Sequence, residues 1–167
     1  MRVRRNGVRL SGYSVAVDGD DVWSLRYAIS VDRAWATQRA SVVGESQNGT
    51  SRVVVQRDDR GWRVDGLSVP NLDGCVDVDL EGSAFTNSLP VRRLALQVGE
   101  AADAPAAYVR VGGAHVERLE QRYRRLEDAG ATTRYDYVAP GFNFRAALVY
   151  DRFGLILEYP GIAVRVR

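Results

Sequence analysis

The feature that most limits how this chain can fold is a two-residue alternation of apolar and polar side chains, broken at short intervals by turn residues. Over residues 22–31, Trp23, Leu25, Tyr27, Ile29 and Val31 fall on one side and Ser24, Arg26, Ala28 and Ser30 on the other. Successive side chains of a strand point to opposite faces, so this segment reads as a strand with one face toward a core. Residues 8–17 alternate less perfectly, and Asp18-Gly19-Asp20-Asp21 supplies a turn between the two, which makes a hairpin the natural reading. Gln47-Asn48-Gly49-Thr50 marks another, because Asn-Gly tolerates the positive φ angles of tight hairpin turns. Asp58-Asp59-Arg60-Gly61 separates residues 52–57 from 62–69, and Asp151-Arg152-Phe153-Gly154 separates 142–150 from 155–159. Turn signals about every 8–12 residues favour an all-β sandwich or barrel over a parallel α/β fold. Residues 116–126 depart from this pattern. Val116, Leu119, Tyr123 and Leu126 fall at helical spacing and Glu120 can pair with Arg124, so one short helix is an alternative to a strand there. Residues 100–107, rich in alanine, read as a surface loop.

The chain has 167 residues, the size of a single domain, and at that length about 70% of the unfolded surface can be buried. A single domain over residues 1–167 is therefore expected. Cys75 is the only cysteine and His115 the only histidine, which excludes an internal disulfide and argues against a zinc site. Gly112-Gly113, beside His115, lacks the glycine spacing and the lysine of a phosphate loop, and no cofactor is expected. All 23 basic side chains are arginine, yet the net charge is only +2, which gives little general attraction to nucleic acid or anionic lipid. Arg118, Arg122, Arg124 and Arg125 are interleaved with Glu117, Glu120 and Glu127, the pattern of a solvated, salt-bridged face. The opening Met1-Arg-Val-Arg-Arg is not followed by a secretion-type apolar run, and no segment approaches the roughly 20 apolar residues that cross a bilayer. A cytoplasmic protein without a membrane-spanning segment is expected, so the Asn48-Gly49-Thr50 sequon is discounted.

Residues 74–80 and 86–94 hold the densest chemistry. As a strand, Gly74-Cys75-Val76-Asp77-Val78-Asp79-Leu80 sends Cys75, Asp77 and Asp79 to one face and Val76, Val78 and Leu80 to the other, with the Asp77 and Asp79 Cα atoms about 6.6 Å apart. Three roles fit such a pair: polar contacts to a ligand, the acid and base of a hydrolase or isomerase, or structural ion pairs with Arg92 or Arg93 that cap the turn at 86–90. If residues 91–94 continue as a strand, only one of Arg92 and Arg93 can face the carboxylates. Asn87, shortly before Leu89-Pro90, fits an Asx-type turn. Cys75 has no histidine near it in sequence and reads as a buried thiol rather than a nucleophile. Trp23, Tyr27, Trp35 and Trp62 belong to a core or, in a barrel wide enough for a ligand, to the lining of an apolar cavity. In that barrel Trp23, Leu25, Tyr27 and Ile29 share one interior with Phe142, Phe144, Ala146 and Leu148. The pocket would measure about 300–1,000 Å³, with Asp77, Asp79, Asn87 or an adjacent arginine at its polar end.

The same residues resemble the bacterial family of "putative glycolipid-binding" proteins, whose pattern runs Gly-Cys-x-Asp-Val-Asp-Leu, then Thr-Asn-Thr-Leu-Pro-Ile-Arg-Arg-Leu, and closes near Tyr-Pro-Gly-Leu-Trp. Gly74 to Leu80, Thr86 to Leu94 and Tyr159-Pro160-Gly161 carry the resemblance, together with Asp32-x-x-Trp35-x-Thr37 and Leu119-x-Gln121-x-Tyr123. The chain departs from the pattern at Ala84-Phe85 and at Ile162-Ala163, where Leu-Trp is usual. The resemblance implies a mostly antiparallel, barrel-like or spiral β-roll fold, similar to the half-barrels of bacterial lipoprotein carriers. It also puts Leu119, Gln121 and Tyr123 on one strand face. It further implies a non-enzymatic binder of a glycolipid or other amphiphile, with Asp77, Asp79, Asn87, Arg92, Arg93, Trp23, Tyr27, Trp35 and Trp62 as candidate contacts. A small-molecule hydrolase using Asp77 and Asp79, and a ligand-free partner-binding protein, are the alternatives.

Overall fold

The computed structural model of the chain describes residues 2–4, 7–110 and 115–166, so the Gly112-Gly113 pair lies outside the described residues. Alternation and turn chemistry generate the N-terminal half as a meander. β1 (Arg2–Arg4), β2 (Gly7–Asp18), β3 (Asp21–Val31), β4 (Thr37–Ser46), β5 (Gly49–Asp58), β6 (Gly61–Val64) and β7 (Leu67–Ser68) pair antiparallel in sequence order. The expected hairpins are present: Asp18 pairs with Asp21 across Gly19-Asp20, and Ser46 with Gly49 across Gln47-Asn48. Gly19 and Gly49 both take positive φ, +61° and +112°, which is the backbone geometry those turns demand.

A second, three-stranded sheet has the order β11-β10-β8, from β8 (Asp77–Leu80), β10 (Ala106–Val109) and β11 (Val116–Leu119). β8 and β10 run parallel, the exception in an otherwise antiparallel structure. A third sheet has the order β16-β15-β14-β13-β12-β9, built from β9 (Ala101–Asp103), β12 (Arg122–Ala129), β13 (Thr132–Ala139), β14 (Phe144–Tyr150), β15 (Ile156–Tyr159) and β16 (Ala163–Val164). The sheets are stitched into a roll. The N–H of Thr37, at the start of β4, donates to the Val76 carbonyl (3.1 Å), and its Oγ1 accepts from the Val78 N–H (3.1 Å). The Ala104 N–H reaches the Gln121 carbonyl at 2.8 Å, which makes β9–β10 and β11–β12 one long bent hairpin passing from the second sheet to the third. The roll does not close into a barrel.

One alternative is decided and two expectations need correction. Residues 116–126 follow the strand reading rather than the helical one: Leu119, Gln121, Tyr123 and Arg125 are buried while Glu120, Arg122 and Arg124 face solvent, so the period is two. The helix lies instead at 84–94, where a 3-10 turn (Ala84–Asn87) runs into α1 (Ser88–Leu94), so residues 91–94 are not a strand. Pro90 fits there because the first helical turn has no partner for its amide in any case. Residues 100–107 are not a surface loop. They contain β9 and the start of β10, and Ala104, Ala106 and Ala107 are buried.

The interior is divided. One apolar cluster joins Leu10, Leu25, Ile29, Val42, Val55, Trp62, Val78 and Leu80. The other joins Tyr123, Tyr135, Tyr137, Leu148, Tyr150 and Tyr159, with Phe144 and Ala146 packed against it. Leu25, Tyr27 and Ile29 therefore do not share an interior with Phe144, Ala146 and Leu148, and Phe142 sits in a turn and is 44% exposed. β8 and α1 lie at the junction. α1 sends Leu89 into the first cluster and Val91 into the second.

Candidate functional site

All four residues of β8 are buried, with Val78 and Leu80 in the first cluster and polar partners around Asp77 and Asp79. Asp77 is 1% exposed and receives the Arg93 guanidinium in a forked pair, with Nη2 2.6 Å from Oδ2 and Nε 3.2 and 3.1 Å from the two oxygens. This pair ties the last turn of α1 to β8. Burial raises the Asp77 carboxyl above its ordinary value, against the pull of Arg93. Asp79 has no cationic partner among the described residues. Its Oδ1 lies 2.6 Å from Thr86 Oγ1 and accepts from the Leu80 N–H at 2.9 Å, and its Oδ2 lies 2.5 Å from Gln121 Nε2. Burial, reinforced by Asp77, raises this carboxyl too, despite those donors. Thr86 Oγ1 is also 2.7 Å from the Ser83 carbonyl and has only one proton to give.

Gln121 Nε2 also contacts the Tyr137 hydroxyl at 2.9 Å. The Tyr123 hydroxyl donates to Asn87 Oδ1 at 2.7 Å, and that of Tyr150 to the Asn87 carbonyl at 3.3 Å. The Ile156 N–H donates to Ser88 Oγ at 3.0 Å, fastening the start of α1 to β15. Asn87 thus ties the start of α1 to two strands of the third sheet rather than capping the helix with its side chain.

Two concavities meet at this network. A cleft of about 170 Å³ has Asp79, Glu81, Ser83 and Asn87 on its polar side and the rings of Tyr108, Tyr137, Phe142, Phe144 and Tyr159 around it. A groove of about 460 Å³ opens between the first and third sheets, with Ser14 and Tyr27 on one wall, Leu155, Ile156, Leu157, Ala163, Val164 and Arg165 on the other, and residues 82–85 beneath. Ser83 and Ala84 line both. The Ser83 hydroxyl lies 3.1 Å from that of Tyr27, across the groove wall. Both departures from the family pattern, Ala84-Phe85 and Ile162-Ala163, fall on these surfaces.

The candidate contacts separate by location. Asp79 and Asn87 line the cleft and Tyr27 the groove. Asp77 and Arg93 are engaged with each other. Arg92 lies over the Trp35 ring at 3.9 Å, donates to the Phe153 carbonyl, and keeps its Nε buried without a hydrogen-bond partner among the described residues. Trp35 is in a turn with φ +67°, not on a strand. Trp62 is a core residue whose indole N–H donates to the Cys75 carbonyl at 2.9 Å, and the Trp23 ring packs over Gly82. Cys75 is 2% exposed and burial pushes its thiol up to about 11. His115 is 65% exposed on its side chain. Among the arginines of 118–125, Arg118 and Arg122 pair with Glu120 and Asp103, while Arg125 is buried over Tyr135 and bonded to the Leu126 carbonyl. Gln121, Ser83, Tyr108, Tyr137 and Tyr159 were not among the expected contacts. The sequence signals touching them were the resemblance at Tyr159-Pro160-Gly161 and the strand face it implied for Leu119, Gln121 and Tyr123.

The family model described as "Putative glycolipid-binding" matches residues 1–165. The chain belongs to that family. A crystal structure of a DUF1089 family protein from Pseudomonas aeruginosa is 30% identical, superposes with a TM-score of 0.76, and is matched over 93% of this chain and 92% of that one. No curated protein matches the chain. Among the described residues no helix is long and apolar enough to cross a membrane, and no cluster of His, Cys, Asp or Glu has the makings of a metal site.

Proposed function

We propose that the whole chain acts as one non-enzymatic domain that binds an amphiphile, its apolar chain in the groove between the sheets and its polar end in the cleft at Asp79. The observation that carries this reading is the meeting of the two concavities at Ser83 and Ala84. An aliphatic channel of about 460 Å³ lies in the size range of small-molecule sites. The cleft beyond it adds hydrogen-bonding groups and aromatic rings, the combination that accommodates a sugar face. The family description supports the same class of ligand, a glycolipid. The hydrolase alternative gains less support, because Asp77 is engaged by Arg93 and does not line the cleft that Asp79 lines.

Native mass spectrometry of freshly purified protein, followed by organic extraction, tests the reading. A co-purifying amphiphile at one per chain, or saturable uptake of an added alkyl glycoside, is the expected result. Val164 lines the groove and is 70% exposed, so Val164→Glu should fold normally and weaken uptake. Uptake unchanged in that variant, or no uptake by the wild type, would sink the reading.

A further inference from the structure

We infer that the free edge of β2 pairs with the same edge of a second copy of this chain, so that the first sheets of both copies become one. This goes beyond the ligand reading above and does not depend on it. β1 covers β2 only from Gly7 to Arg9, and the residues that follow form the rim of the first sheet. The register decides which backbone groups face outward there. Asp18 and Asp21 flank a two-residue turn as a hydrogen-bonded pair, and bonded and non-bonded positions alternate along an antiparallel ladder, so the even-numbered residues of β2 bond to β3. Ser11, Tyr13, Val15 and Val17 therefore turn their N–H and C=O groups to the rim, as Arg9 does toward β1. None of those groups has a backbone partner among the described residues.

Soluble proteins guard such rims with short strands, charges, prolines or bulges. Other rims of this molecule follow that rule: β7 and β16 have two residues, β9 has three, β11 carries Glu117 and Arg118, and the open part of β5 carries Arg52. β2 does not. Residues 10–17 hold no charge and no proline, their pairing with β3 runs without a register shift, and Tyr13, Val15 and Val17 are 63%, 63% and 70% exposed. Val22, paired with Val17, is exposed too and extends the apolar strip.

A second copy is the occupant because this rim is complementary to itself. A two-fold axis through Ser14, perpendicular to the sheet, sets Tyr13 opposite Val15 of the second copy and Ser11 opposite Val17. Every outward N–H and C=O of the four residues then finds a partner, about eight hydrogen bonds against the roughly ten of a typical interface. The Tyr13–Val15 contact, made twice, is an aromatic–β-branched cross-strand pair of the kind that stabilises sheets. The ends match in charge as well. Arg9 at one end meets the Asp18-Gly19-Asp20-Asp21 turn of the second copy at the other, again twice, while no charge meets its like along residues 10–17. An unrelated extended peptide would satisfy the backbone groups but not this symmetric match of side chains and charge.

Sedimentation velocity of the full chain across a range of concentrations should show a reversible dimer. Val15→Lys, at an exposed position, should keep its circular dichroism spectrum and weaken the dimer at least about tenfold, because two like charges then flank the axis. Val15→Pro should weaken it without any charge, by removing an outward N–H that β3 does not use. The register has its own check. The axis sets Ser14 opposite its counterpart at a non-bonded position, where Cα atoms lie about 4.5 Å apart, within disulfide range. Ser14→Cys should therefore cross-link into a covalent dimer on oxidation with copper phenanthroline, and Val17→Cys, about 20 Å from its counterpart, should not. The native Cys75, 2% exposed, should stay silent. A wild type that is monomeric at every concentration, with or without a foreign peptide held on the rim, would overturn the inference. So would a dimer indifferent to Val15→Lys, or equal cross-linking at both positions.

Discussion

Asp77 and Asp79 stand two residues apart on one strand, yet the protein treats them in different ways, and single substitutions should separate them. Arg93→Ala leaves the Asp77 carboxylate buried and unpaired, which should cost about 3–5 kcal/mol in chemical denaturation. Adding Asp77→Asn should recover part of that loss, and equal midpoints for the single and double variants would show that the pair is not coupled. Asp79 makes a prediction in pH. Its folded pKa lies above an unfolded value of about 3.9, so the native state binds the proton more tightly and the Asp79 contribution to stability declines as pH rises from about 4 through the folded pKa. Asp79→Asn removes that decline. Denaturation midpoints from about pH 4 to 8 should therefore shift progressively in favour of the variant, and a constant gap would show that the carboxyl titrates normally. A pairing of these carboxylates with Arg92 or Arg93 was legible because the two segments lie close in sequence, but not that it would join Asp77 to Arg93. Gln121, 42 positions beyond Asp79, was not, since nothing local records a contact made by sheet stitching.

At the scale of elements, the first sheet was readable because its long strands carry their own alternation and its tight hairpin turns, as at Gly19, Gly49 and Gly61, their own glycine. Residues 116–126 admitted two readings because periods overlap: Leu119 and Tyr123 satisfy both a helix at i,i+4 and a strand face at i,i+4, and only Gln121 between them breaks the tie once it is known to be buried. The helix that does form escaped notice because α1 has seven residues, too few to display a period. What fixes it is position between two cores. Leu89→Ala should accordingly cost about 2–5 kcal/mol, as for other fully buried leucines, and a loss under about 1 kcal/mol would mean the junction repacks. Gly82 offers a second check on the same region. A Cβ there would lie 2.5 Å from the Trp23 ring, so Gly82→Ala should displace that indole and shift its fluorescence, whereas an unchanged emission spectrum would show slack in the groove floor.

For the molecule as a whole, the division into two cores was invisible in the sequence, because alternation says which residues face inward but not which interior they face. The division comes with a spectroscopic partition that is complete for tryptophan and, apart from Tyr27 in the first cluster, holds for the clustered tyrosines. Trp23, Trp35 and Trp62 all belong to the first cluster, and Tyr123, Tyr135, Tyr137, Tyr150 and Tyr159 to the second. Since α1, β8 and the bent hairpin are common to both, tryptophan fluorescence and tyrosine near-ultraviolet circular dichroism should report one coincident unfolding transition. Two separated midpoints would show that the halves melt independently. Cys75, buried beside the strand that both halves share, turns the same connectivity into a clock. Its thiol is both shielded and, with its pKa near 11, almost entirely unionised at neutral pH, so a maleimide can label it only when the junction opens. One cysteine in the whole chain means one unambiguous mass increment per opening. The rate at which that increment accumulates therefore measures how often the central strand comes free, and its slowing by a bound molecule would register occupancy without any label on the ligand.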